Sequence, residues 1–135
     1  MKSSKRKPTL NFLLNQESSM STQAYRAFAD IGLTPIGSLE NTATVLGDIL
    51  GITFKEDNEG TYDEYPAFLA STPTLKYALL GTPLPEDDLR EEPSNEFNLL
   101  VSSIDDSSDL PEIDISEKLI SQLMKSAVVQ CWRLN

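Results

Sequence analysis

The sequence predicts a small α+β domain, with a three-stranded antiparallel meander and a fourth strand packed against about three helices. Three observations carry that prediction. Residues 52–83 break into three short β-prone runs separated by turn chemistry, residues 39–50 and 115–128 carry apolar side chains at helical spacing, and 135 residues with 39% hydrophobic content can form one core. A chain of this length buries roughly two thirds of the surface that its unfolded form exposes. A single domain over residues 9–135 follows, preceded by a basic tail at 1–8 that is expected to be disordered.

Leu10, Phe12, Leu13 and Leu14 form the first apolar patch, and the small polar run at 18–21 offers helix caps. Over residues 22–30, TQAYRAFAD places Ala24, Tyr25 and Phe28 within a turn of one another. That spacing predicts a short amphipathic helix stopped at Gly32. Thr34, Pro35 and Gly37 then make a turn. Ser38 or Asn41 caps the next helix, in which Leu39, Ala43, Leu46, Ile49 and Leu50 repeat at i, i+3/i+4 and i+7, and Gly51 ends it.

In the meander, Ile52 and Phe54 alternate with polar neighbours, and Asn58, Glu59 and Gly60 tolerate the positive φ of a tight hairpin. A β-prone run centres on Phe68, and Leu75, Tyr77 and Leu79 recur at period two around Lys76 and Ala78. Pro83, Pro85 and Pro93 bracket a polar loop, after which FNLLVSSI at 97–104 has the β-branched and aromatic content of a fourth strand. DDSSDLPEID at 105–114 is too poor in apolar residues for anything but a loop. Asp114 or Ser116 caps a last helix with Ile115, Leu119, Ile120, Leu123 and Val128 on one side, Glu117 near its positive end and Lys125 near its negative end. The tail AVVQCWRLN finishes that helix or forms a last strand, since its periodicity fits both.

Charge restricts the partners. Eleven basic and 21 acidic residues give a net charge of -10, yet Lys2, Lys5, Arg6 and Lys7 all fall in the first seven positions. The remainder carries 7 bases against 21 acids, a net of -14. Such a surface repels nucleic-acid phosphates and anionic lipid, and its complement is a basic protein. Cys131 is the single cysteine, which fits a reducing compartment. The apolar run LNFLL is broken by Asn15, Gln16 and Glu17, far short of a secretory or membrane-spanning segment, so a cytoplasmic location is expected.

The residue types exclude most cofactor chemistry. With no His and one Cys, the chain lacks the usual general base and cannot build a zinc site. No phosphate loop is present, and Gly47 and Gly51 lack the third glycine of a dinucleotide fingerprint. KEDNEGTYDEYP resembles a calcium loop at Asp57, Glu59 and Gly60, but that register puts Lys55 at the first ligand position and Pro66 at the last. Glu56 and Asp63 form a candidate acid and base pair across the hairpin, against which stands the plainer reading of solvated turn residues. Tyr62 and Tyr65, which flank Asp63 and Glu64, and Trp132, beside Arg133, have the size and polar tip of interface anchors, although each also suits a core position. No catalytic residue, cofactor or metal is assigned.

The stretch GITFKEDNEGTYDEYPAFLASTPTLKYALLGTP resembles the central region of small bacterial immunity proteins, the partners of the C-terminal toxins of contact-dependent inhibition and related polymorphic systems. The likeness lies in a helix leading to a GI-F strand, an acid-rich G-YDEYPAF segment and a Y-ALLG strand, over residues 39–83, a third of the chain. It implies a non-enzymatic α+β protein that binds and blocks its cognate toxin, commonly a nuclease with a cationic cleft, as a monomer in a one-to-one complex. Two acidic blocks then become candidate contacts: Glu56, Asp57, Glu59, Tyr62, Asp63 and Glu64, and Glu86, Asp87, Asp88, Glu91 and Glu92. The alternative is a type III secretion chaperone, also small, acidic and α+β, which would be a homodimer gripping an effector segment.

Overall fold

The computed structural model describes residues 25–62, 65–84, 86, 88–90, 94–104 and 109–134. The basic tail, the apolar patch at 10–14 and the capping run at 18–21 lie outside them. Among the described residues seven strands form one sheet: β1 (Arg26–Leu33), β2 (Lys55–Glu56), β3 (Ala67–Ser71), β4 (Leu75–Leu80), β5 (Phe97–Ser103), β6 (Glu112–Asp114) and β7 (Cys131–Arg133). Two described helices, α1 (Leu39–Leu50) and α2 (Ser116–Met124), join them. The α+β class and the antiparallel meander β2–β3–β4–β5 stand as expected, while the described residues hold two helices rather than about three and more strands than the expected four.

The largest correction is at residues 26–33. They form a strand because Ala27, Ala29, Ile31 and Leu33 alternate as buried positions, a period-two pattern that outweighs the short helical grouping around Tyr25 and Phe28. Gly32 is not a helix stop; it lies opposite Trp132 of β7. The first meander strand shrinks to two residues. Glu112–Asp114, expected as loop, is a strand paired with β1, with ion pairs from Arg26 to Glu112 and from Arg133 to Asp114 and little burial to signal it. The tail resolves as β7, with Val129 rather than Val128 buried in front of it.

The cap predictions hold for α1. Asn41 N–H donates to Ser38 Oγ at 3.0 Å, and Gly51 closes the helix in the left-handed region at φ 73°. For α2 the helix-starting position is Ile115, which makes no side-chain cap, while Asp114 accepts the Ser116 N–H at 2.8 Å.

β1 is the centre of the fold. One edge pairs antiparallel with β5 along most of its length; the other is shared, with β6 parallel beside Arg26–Phe28 and β7 antiparallel beside Ile31–Leu33. Between those half-strands the Asp30 N–H donates to the fully buried Ser116 hydroxyl at 3.2 Å, so α2 fills the gap in the ladder. The core lies on the helix side of the sheet, where Ile31, Leu33, Leu79 and Leu99 meet Leu46 of α1 and Leu123 of α2.

Candidate functional site: the acidic end of the sheet

β1 and β4 end, and β3 and β5 begin, at one end of the sheet, so residues 65–66 before β3 and 81–84 after β4 leave the sheet side by side. Gly81 N–H donates to the Pro66 carbonyl at 2.8 Å and fastens the two segments together. The described parts of the two acidic blocks therefore flank β3 and β4 at one end of the sheet.

The turn at 57–61 is built by Asp57. Its Oδ1 accepts the Glu59 N–H at 3.1 Å and its Oδ2 the Thr61 N–H at 3.0 Å, with Gly60 at φ 66° supplying the left-handed residue. The Glu59 N–H, and secondarily those donated by Thr61, hold the Asp57 carboxyl below its ordinary range. Glu56 and Glu59 stay exposed, and neither carboxylate has a partner among the described residues. Tyr62 is half-buried, and its carbonyl accepts the Tyr65 N–H at 3.0 Å.

Asp88 does similar work in the second block. Its Oδ1 accepts from Arg90 N and Nε, at 3.1 and 2.9 Å, and its Oδ2 from a terminal guanidinium nitrogen at 2.8 Å. Arg90 donates onward to the Ser94 carbonyl at 3.1 Å. The Arg90 side-chain hydrogen bond brings the Asp88 carboxyl down to about 2. The same bond raises the Arg90 pKa. Glu86 is exposed and unpaired among the described residues.

Of the eleven predicted contacts, Glu56, Glu59 and Glu86 thus present free carboxylates, Asp57 and Asp88 are spent on loop structure, and Tyr62 stands between. Asp63, Glu64, Asp87, Glu91 and Glu92 lie outside the described residues. Sequence reasoning passed over Leu84 and Leu89, which are 60% and 87% exposed in the same end. The signal was present, as both are large apolar residues inside a proline-bracketed polar loop.

A shallow groove of about 210 Å³ runs beside α1, lined by Glu40, Thr44, Asp48, Thr53, Phe54 and Phe68. Thr44 spends its hydroxyl on the Glu40 carbonyl at 3.1 Å, inside its own helix. Among the described residues no three metal-ligating side chains gather, and no described helix is long and apolar enough to cross a membrane. No protein-family model matches the chain, and no curated protein sequence matches it.

Proposed function

We propose that this is an immunity protein that binds a cognate bacterial toxin domain and covers its basic active-site surface with the acidic end of the sheet. The supporting observation is that the chain enters β3 and leaves β4 at one end of the sheet, with Glu56, Glu59 and Glu86 exposed and unpaired among the described residues and Leu84 and Leu89 exposed after β4. Exposed acidic side chains together with exposed apolar ones match the anatomy of a steered interface, where charge sets the encounter and apolar anchors set the lifetime. Such steering lifts association toward roughly 10⁸ M⁻¹s⁻¹ at low salt. The toxin, commonly a nuclease in such systems, is inhibited by occlusion, with no reaction on the immunity protein's side.

Co-expression with the C-terminal domain of the large gene immediately upstream, followed by isolation of the pair, tests this reading. Restored growth and a one-to-one complex that weakens with salt are expected. No toxicity, no complex and a homodimer on light scattering would favour the secretion-chaperone alternative instead.

A further inference from the structure

The groove beside α1 has two walls of different chemistry. On one, Glu40, Thr44 and Asp48 follow at i, i+4 and i+8, a single stripe of the helix, with Gly47 beside them. On the other stand Phe54, just before β2, and Phe68 of β3, both half-buried. The bare Gly47 sets how closely the walls approach, because a Cβ there would meet the Ile52 carbonyl oxygen at 2.6 Å and push that segment away. The Phe54 ring packs edge to face on the buried Tyr77, with 6.5 Å between centroids and 78° between planes. One aromatic surface of the groove is therefore fixed before anything binds.

The carboxylates of the helical wall are exposed, and neither has an ion-pair partner among the described residues. Glu40 lies in the first turn of α1, where a negative charge suits the helix dipole. Asp48 lies in the last turn, where it opposes the dipole with no base there to offset it. That charge destabilises the free helix, and departures from local preference of this kind gather at binding sites. Asp48 follows Glu40 by eight residues, about 12 Å along the helix axis, too far for one metal ion to bridge. Two basic side chains four residues apart in an extended segment lie on one side of it, about 13 Å from each other.

We propose that this groove takes an extended, arginine-bearing segment of a partner protein, its guanidinium groups stacked on Phe54 and Phe68 and paired with the Asp48 and Glu40 carboxylates. Arginine fits these walls better than lysine. Its flat, weakly hydrated ion lies on an aromatic ring and donates two parallel bonds to a carboxylate, whereas an ammonium is a compact and strongly hydrated point charge. The inference concerns the α1 wall rather than the acidic end, so it stands or falls independently of the toxin reading.

The probe is the peptide acetyl-Gly-Arg-Ser-Gly-Ser-Arg-Gly-amide, titrated into the isotope-labelled full chain and followed by amide chemical shifts. Counterparts carrying lysine, or the uncharged isostere citrulline, at both arginine positions serve as controls. Saturable shifts at residues 44–54 and 68 are expected, with binding at least about fivefold weaker for the lysine peptide and absent for the citrulline one. Asp48→Asn should weaken binding of the arginine peptide about tenfold while the thermal midpoint holds or rises, because the helix end is relieved of its charge. A merely structural Asp48 would move the midpoint down and leave the affinity alone, and that result would overturn the proposal. Citrulline or lysine peptides that bind as well as the arginine one would overturn it too. So would shifts confined to residues 56–61 and 86–90, which would give the basic segment to the acidic end instead.

Discussion

Gly32 and Trp132 are register partners on β1 and β7, and the indole lies so close over the glycine that a Cβ there would stand 2.5 Å from its Nε1. Gly32→Ala therefore drives the ring off the strand. A loss of about 1–3 kcal/mol is expected, the range for overpacking a filled site, read as a lower denaturant midpoint. The loss shrinks when Trp132→Ala is also present, because the clash has then been removed; equal losses in both backgrounds would disprove the coupling.

Gly47 opposes two effects of known sign. Alanine in the middle of α1 gains about 1 kcal/mol of helix propensity, but its Cβ would lie 2.6 Å from the Ile52 carbonyl oxygen, a backbone atom with little freedom to retreat. The Gly47 carbonyl also accepts N–H bonds from Gly51 and Ile52, at 2.8 and 3.0 Å, so any shift disturbs the helix end. A net loss of about 1–2 kcal/mol is expected from Gly47→Ala by thermal or chemical unfolding. A more stable variant would show that the residues at 51–52 move easily.

The Asp88–Arg90 pair sets an acid limit for the second loop. The Asp88 carboxyl, ordinarily 3.8, is held at about 2. Its contribution is therefore complete above about pH 4 and fades as pH falls through about 2. Asp57 and Asp114 are lowered as well, Asp114 first by the Ser116 hydroxyl and then by the Ser116 N–H and Arg133. Unfolding midpoints followed from pH 7 downward should stay level to about pH 4 and then decline. Asp88→Asn should lower the plateau and flatten part of that decline, whereas a parallel curve would separate the pair from acid sensitivity.

Free and spent carboxylates predict different failures. On the proposed immunity function, Glu56→Lys, Glu59→Lys and Glu86→Lys together should slow toxin association by tenfold or more at low salt and erase most of its salt dependence, while stability changes by about 0.5 kcal/mol or less, as is usual at exposed sites. Leu89→Ala should act on dissociation instead. Asp88→Lys should lower stability even without toxin, since it breaks the clamp around Arg90. An unchanged association rate in the triple variant would reject electrostatic steering at this end.

The sequence made α1 and β3 to β5 legible because burial, propensity and caps agree there: Ser38 and Gly51 bound the helix, and Tyr77, Leu79, Leu99 and Val101 are buried at period two. It misled at β1, where strand and helix spacings overlap for a few residues and the deciding partners lie at 97–103 and 112–133. β6 carries no burial pattern at all, so only the long-range ladder reveals it. At the acidic end the carboxylates were visible in the sequence, but not which of them are free. Asp57 reads like Glu59 until the turn is closed, and Asp88 like Glu86 until Arg90 folds back on it.

The shared edge of β1 has a consequence for how the chain comes into being. Asp30 and Ser116, which meet across the middle of that edge, are 86 residues apart. During synthesis β1 leaves the ribosome early and its outer partners only after most of the remaining chain has followed. Until then its hydrogen-bonding groups stay bare, a template for wrong pairing. Folding should thus proceed late and as a single closing event, with β6, α2 and β7 locking onto a strand made long before them. An interrupted chain that lacks residues 112–133 should be a substrate for chaperones and proteases rather than a working fragment.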